Sequence, residues 1–182
     1  MEFCSGPVWR QMLEEQILPV ALDGVDLGDD VIEIGPGPGF VTDVLRQRTA
    51  ALTAVEIDPG LFDALADRLA GSNVQVVMGD ATALDLPSDR FTGGACFNML
   101  HHIPTVDAQQ RALAELVRVL KPGGVMVASD AGYSEGSHLF HADDVYNPIE
   151  PGSLEKRMAQ AGFTDVAVHE HELVWVVTAR AA

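Results

Sequence analysis

EIGPGPG, residues 33–39, is the stretch on which the reading of this chain turns. It follows Val31–Ile34, a short apolar run bounded by Asp30 and Gly35 that reads as a buried strand. It precedes residues 40–48, which read as a helix. A strand, a glycine-rich turn and a helix in succession begin an α/β unit. Glycines let a ligand approach bare backbone, and a helix N-terminus attracts an anion. Glycine stands at alternate positions, Gly35, Gly37 and Gly39, with an acid, Glu33, two residues before the first. The dinucleotide fingerprint would need a third glycine at residue 40, which is Phe40. A diphosphate ligand and a nicotinamide oxidoreductase are therefore disfavoured, and a ligand with a single carboxylate fits better.

Working outward, strands and helices alternate. Residues 8–22 read as an amphipathic helix disturbed near Pro19. ALTAVEI (51–57) is a second strand, followed by a helix with Pro59 in its first turn and running to Leu69. VQVVM (74–78) is a third strand, and Phe91–Phe97 contains a fourth, weakened by Gly93 and Gly94. Thr105 and Asp107 open a helix that Lys121-Pro122-Gly123-Gly124 stops, and VMVAS (125–129) is a fifth strand. Residues 130–150 read as a loop or short lid. SLEKRMAQAG is a helix ending at Gly162, and the tail reads as a hairpin turning near His169–Glu172. Such alternation implies a mainly parallel sheet covered on both faces, with one antiparallel strand from the hairpin. Ligands of such sheets bind at the carboxyl ends of the strands.

Two further strand ends carry signals. Glu56 lies 21 residues after Gly35, where an acid accepts hydrogen bonds from ribose hydroxyls. Asp58 competes for that role but reads better as the cap of the Pro59 helix. Gly79-Asp80-Ala81 follows the third strand, where an acid suits an adenine amino group.

EIGPGPG, AVEIDP, GDATALDLP, FNMLHHIP and LKPGG, in this order, resemble the class I S-adenosylmethionine-dependent methyltransferases over roughly residues 30–130. The later motifs resemble the small-molecule branch, of the ubiquinone/menaquinone-biosynthesis, type 11 kind. The resemblance implies a single-domain, Rossmann-like, doubly wound α/β fold. Its seven-stranded sheet would have the order 3-2-1-4-5-7-6 with strand 7 antiparallel. Residues 1–182 would form one methyltransferase domain: an N-terminal helical cap (1–29), a cofactor-binding core (30–129), an acceptor-side loop or lid (130–150) and a terminal helix and hairpin (151–182). The cofactor would be S-adenosyl-L-methionine and the product S-adenosyl-L-homocysteine. Glu33 and the three glycines would line the methionine part, and Glu56 would hold the ribose. Ile57 would pack on adenine, Asp80 and Ala81 would meet its edge, and Phe97 and Asn98 would lie beside the amino group. The chain departs from the family pattern at Phe91-Thr92, where Phe-Asp is common, and at Gly93-Gly94.

Charge narrows the partners. Eleven Lys and Arg stand against 27 Asp and Glu, a net −16, and the acids are spread evenly along the chain. Nucleic acids and anionic membranes are gripped by Lys and Arg, so both are disfavoured and a small-molecule acceptor is expected. The first motifs also resemble the ribosomal RNA adenine dimethylases. Those carry an Asn-Leu-Pro-Tyr type motif after strand four, and here the stretch is Asn98-Met99-Leu100-His101, with no aromatic to stack on a base. A third possibility is a cofactor-binding partner subunit without catalysis. No apolar run reaches the ~18 residues of a membrane span, and the start of the chain lacks the pattern of a signal peptide. The expectation is a cytoplasmic monomer or homodimer.

His101 and His102 follow the fourth strand and are the candidate catalytic residues, since histidine suits proton removal at neutral pH. His138, His141, Asp143 and Asp144 cluster in the lid segment, but no second half of a metal site is evident, and no metal is expected. That segment, with Tyr133 and Tyr146, is expected to cover the acceptor pocket. Arg10, on the first helix, is a candidate for the cofactor carboxylate.

Overall fold

A computed structural model describes residues 6–135, 138, 145–172 and 174–182. The N-terminal helical segment runs α1 (Pro7–Met12), a π-helical turn (Leu13–Ile17) and α2 (Leu18–Ala21). The wide turn lies where Pro19, lacking an amide and clashing with the preceding turn, cannot continue a regular ladder. Then follow β1 (Asp30–Ile34), α3 (Phe40–Leu45), β2 (Ala51–Glu56), α4 (Pro59–Leu69) and β3 (Val74–Met78). After them come β4 (Phe91–Phe97), a 3-10 turn (Leu100–His102), α5 (Val106–Val119) and β5 (Leu120–Asp130). The chain ends with α6 (Pro151–Ala161), β6 (Phe163–Glu170) and β7 (Trp175–Ala181).

The seven strands lie in the order β3-β2-β1-β4-β5-β7-β6. The first five are parallel, and β7 runs antiparallel between β5 and β6. This is the expected order and orientation. Ile32, Ile34, Cys96, Ala128 and Val177 face α5 and α6, where Leu113, Leu116, Leu154 and Met158 close the larger core. Val31, Ala95, Phe97, Val127 and Val176 face the N-terminal helices through Leu13, Ile17 and Leu18. Among the described residues no helix is long and apolar enough to cross a membrane.

Boundaries differ from expectation where tertiary pairing overrides local signals. β5 starts at Leu120, so Lys121-Pro122-Gly123-Gly124 is a bulged strand entry rather than a plain stop. The helix after the glycine loop has six residues, not nine. His169 and Glu170, expected in the hairpin turn, belong to β6 instead. The expected caps form: Asp58 accepts from the Leu61 amide at 2.9 Å, Thr105 from the Ala108 amide at 3.1 Å, and Gly162 ends α6 at φ 107°.

The fourth strand also shows why it carries glycine. The Leu27 carbonyl lies against Gly93, and a Cβ there would collide with it. Thr92, at the unusual position, donates from Oγ1 to the Leu27 and Asp30 carbonyls and accepts from the Asp30 amide. Thr92 thus anchors the start of β4 to the entry of β1.

Candidate functional site

The carboxyl ends of β1, β2, β4 and β5 define one edge of the sheet, and the chemistry-bearing residues gather there. Gly35, Gly37 and Gly39 all have positive φ, 68°, 54° and 85°. That backbone geometry is cheap only without a Cβ. A Cβ at Gly37 would find nothing within 4 Å, so the loop presents bare backbone to open space. Arg68 on α4 braces the loop from behind. Its guanidinium donates to the Pro38 and Gly39 carbonyls, each at 3.2 Å, and pairs with Asp43 at 2.8 Å.

Glu56 is buried and ties this loop to β2. Its Oε2 accepts from the Gly37 amide at 3.0 Å, and its Oε1 accepts from the Ile57 and Asp58 amides, both at 2.9 Å. Beyond it Ile57 is an apolar side chain 65% exposed on the rim. Asp80 turns back on its own segment, Oδ1 accepting from the Thr82 amide and hydroxyl at 2.8 Å, with Ala81 packed beside the core.

Glu33 is nearly inaccessible, and its Oε2 has no hydrogen-bond partner among the described residues. Burial pushes its carboxyl up to about 8, and the neighbouring Asp43 and Glu56 carboxylates push the same way against the Thr42 hydroxyl. Phe97 is buried at the end of β4. Asn98 follows in a left-handed conformation, φ 49°, its amide donating to the Ser129 carbonyl at 2.8 Å. The Asn98 Nδ2 and the Ser129 Oγ, like Glu33 Oε2, are buried and unpartnered among the described residues. In a native interior nearly all buried polar groups are paired. The three orphans lie at the ends of neighbouring strands and leave polar capacity there for a ligand.

His101 and His102 sit in the 3-10 turn after β4, but their settings differ. His101 is buried and its Nδ1 lies 2.6 Å from Asp130 Oδ1. The other Asp130 oxygen accepts from the His101 amide at 3.1 Å, and Oδ1 also accepts from the Ala131 amide at 2.8 Å. His102 is half-buried, its ring 4.1 Å from that of His101. Tyr146 stands edge-on to His101 at 5.8 Å and lies 6.4 Å from Tyr133 and 6.1 Å from His138. Tyr146 thus lies beside the His101 ring, and Tyr133 and His138 lie beside Tyr146. His141, Asp143 and Asp144 lie outside the described residues. Arg10 is turned to Glu14 at 2.7 Å and over the Phe40 ring, so it is engaged at the surface of the N-terminal helix.

Two residues of this region escape sequence reasoning. Asp130 ends β5, and only the pairing of Phe97 with Ser129 places it beside the end of β4. Gln109 occupies a fully buried position on α5, donating to the Leu100 carbonyl at 2.8 Å and the Asn147 carbonyl at 2.7 Å. Asn147 donates its amide to the His101 carbonyl at 2.7 Å. The available signal was an amide on an otherwise apolar helix stripe, Ala108, Ala112, Leu113 and Leu116.

Comparison with known proteins fits this geometry. A family described as a methyltransferase domain matches residues 32–128. The ribosomal RNA small subunit methyltransferase A of Moorella thermoacetica is 44% identical over 79 residues, 43% of this chain and 27% of that protein. The probable ribosomal RNA small subunit methyltransferase A of Pyrobaculum aerophilum is 38% identical over 112 residues, 54% of this chain and 47% of that protein. The chain spans less than half the length of these curated relatives. A solved S-adenosylmethionine-dependent methyltransferase from Aquifex aeolicus superposes with TM-score 0.77 at 19% identity, covering 98% of this chain and 95% of the other.

Proposed function

The chain belongs to the methyltransferase domain family, and on that premise we propose that it transfers a methyl group from S-adenosylmethionine to a small-molecule acceptor. The observation that carries the site is the meeting of an open glycine loop with three buried, unpartnered polar atoms at adjacent strand ends. These features suit the cofactor: Gly37 leaves room for its methionine portion, while Gly35 and Gly39 let the turn pack closely on Met99, Leu65 and Arg68. Glu33 Oε2 suits its ammonium group, with Phe97 and Asn98 alongside. Glu56 holds the loop and takes the ribose at its remaining acceptor capacity. Ile57, Asp80 and Ala81 receive the adenine. The cofactor supplies an electrophilic methyl on sulfonium. The protein supplies alignment and exclusion of water, and His101 and His102 stand at the acceptor side to handle a proton.

The small-molecule reading rests on charge and on the turn after β4. A net −16 disfavours gripping a phosphate backbone, and His101 stands where an RNA adenine dimethylase would present a stacking aromatic. The named relatives point instead to a ribosomal RNA substrate, over part of their length. Calorimetry and an acceptor assay decide between them. The chain is expected to bind S-adenosylmethionine and S-adenosylhomocysteine, not to bind NAD, and to transfer no methyl to small-subunit ribosomal RNA. Tight NAD binding without S-adenosylmethionine binding would overturn the cofactor reading. Methylation of the RNA would overturn the acceptor reading.

A further inference from the structure

The sheet ends in two edge strands, β3 and β6, and they are built differently. β6 is defended. Its pairing with β7 slips between Thr164 and Ala167, Asp165 in that gap has φ 50°, and Asp165, His169 and Glu170 set polar groups along it. Bulges and charges keep a further strand off an exposed edge. β3, Val-Gln-Val-Val-Met, carries neither. It keeps one register with β2 over all five residues and contains no charge, proline or glycine. Among the described residues no strand pairs with its outer side. We propose that this edge docks a protein partner that adds an extended, alternately apolar strand flanked by Lys and Arg.

The hydrogen bonds to β2 show which backbone groups are on offer. The Leu52 amide donates to the Asn73 carbonyl at 3.0 Å, and the Gly79 amide donates to the Glu56 carbonyl at 2.9 Å. In a parallel pair, every second residue turns both its backbone groups to the same neighbour. Gln75 and Val77 therefore face β2, and Val74, Val76 and Met78 present their amides and carbonyls outward. Val74 and Val76 pack on Leu65 and Leu69 of α4, which holds the strand in place without covering its edge. Gln75 is exposed, and Met78 is 44% exposed.

Charge selects the occupant. Residues 57–90, from the end of β2 to the start of β4, hold six Asp and two Arg. Both Arg are engaged, Arg68 with Asp43 at 2.8 Å and Arg90 with Asp30 at 3.7 Å. Asp63 and Asp67 are exposed on α4, the helix packed on β3. A second copy would bring the same acids and another net −16 to the seam, and like charges oppose association. A basic strand is attracted instead. Main-chain pairing then supplies affinity, and the alternation of its side chains supplies register.

The test uses the full chain and a probe peptide, acetyl-Lys-Arg-Val-Thr-Val-Thr-Val-Arg-Lys-amide, read by amide hydrogen exchange. In the free protein the Gln75 and Val77 amides should exchange slowly and those of Val74, Val76 and Met78 fast. Peptide at about ten times its Kd should slow these three about tenfold, because only the unbound fraction exchanges. The same peptide with its central amides N-methylated should not bind, nor should one with Glu in place of Lys and Arg. Val76→Pro removes an outward amide at a position an edge strand tolerates. It should weaken binding at least about fivefold, the loss of one backbone hydrogen bond. Gln75→Lys leaves the backbone bonds intact, sets a repelling charge on the exposed strand, and should also weaken binding. Absence of peptide binding at about 1 mM overturns the proposal. So does equal binding of the N-methylated or acidic peptide, or unchanged affinity in Gln75→Lys. Protection of the Val74, Val76 and Met78 amides that grows with protein concentration alone would assign the edge to a second copy and overturn the basic occupant.

Discussion

Glu33 holds a carboxyl where water cannot reach it, and that has a measurable cost. Its carboxyl is pushed from 4.5 up to about 8, chiefly by burial. A carboxyl raised in the folded state binds its proton more tightly there than in the unfolded chain. The contribution to stability is therefore best below about pH 4.5 and is lost as pH rises toward 8. At about 1.4 kcal/mol per unit, the penalty near pH 7 is about 3 kcal/mol, and it levels off above pH 8. Glu33→Gln removes the titration while keeping the shape. The new amide brings an unpartnered donor, which returns about 1 kcal/mol of that gain. The variant should be more stable than wild type by about 2 kcal/mol at pH 7, and this advantage should vanish at about pH 5. Urea unfolding of both proteins from pH 4.5 to 9 measures it. A Glu33→Gln protein no more stable than wild type at pH 7, or an advantage independent of pH, would refute the reasoning. The same variant should bind S-adenosylmethionine more weakly, because the buried oxygen it loses is the one assigned to the ammonium group.

Glu56→Ala removes a carboxylate that accepts three backbone amides. It should lower cofactor affinity at least about tenfold by calorimetry, a loss of about 1.4 kcal/mol, and should also lower the melting temperature. Gly37→Ala fills open space at positive φ. Its stability should fall by only about 1–2 kcal/mol, while cofactor affinity falls by more than tenfold in the same titration. His101→Ala should lower turnover about a hundredfold or more with cofactor affinity nearly unchanged, and His102→Ala should lower it less. Equal full activity in both would assign the pair to packing.

Much of the proposed cofactor side was legible in the chain because its signals are local. A glycine loop directly after a strand, an acid at the end of the next strand and an Asp after the third are each set by a few consecutive residues. The alternation of elements together with the family resemblance then implies how their ends line up. Thr92 was harder to read, since its departure from the family pattern looks like a weakness. Only the fold shows it donating to Leu27 and Asp30, residues 65 and 62 positions away.

Sequence alone determined the order of elements, the parallel core with its antiparallel hairpin, and the glycine loop proposed to receive the cofactor, because hydrophobic period and turn residues act over a few positions. Tertiary structure decided the surroundings of His101 and His102. Two adjacent histidines look alike in a string. The pairing of β4 with β5 brings Asp130 to the ring of His101, while His102 is left half-buried beside it. Strand register also brings Glu33, Asn98 and Ser129 to one edge without hydrogen-bond partners. Burial and hydrogen bonding between residues distant in the chain are properties of packing, and no spacing rule along the sequence encodes them.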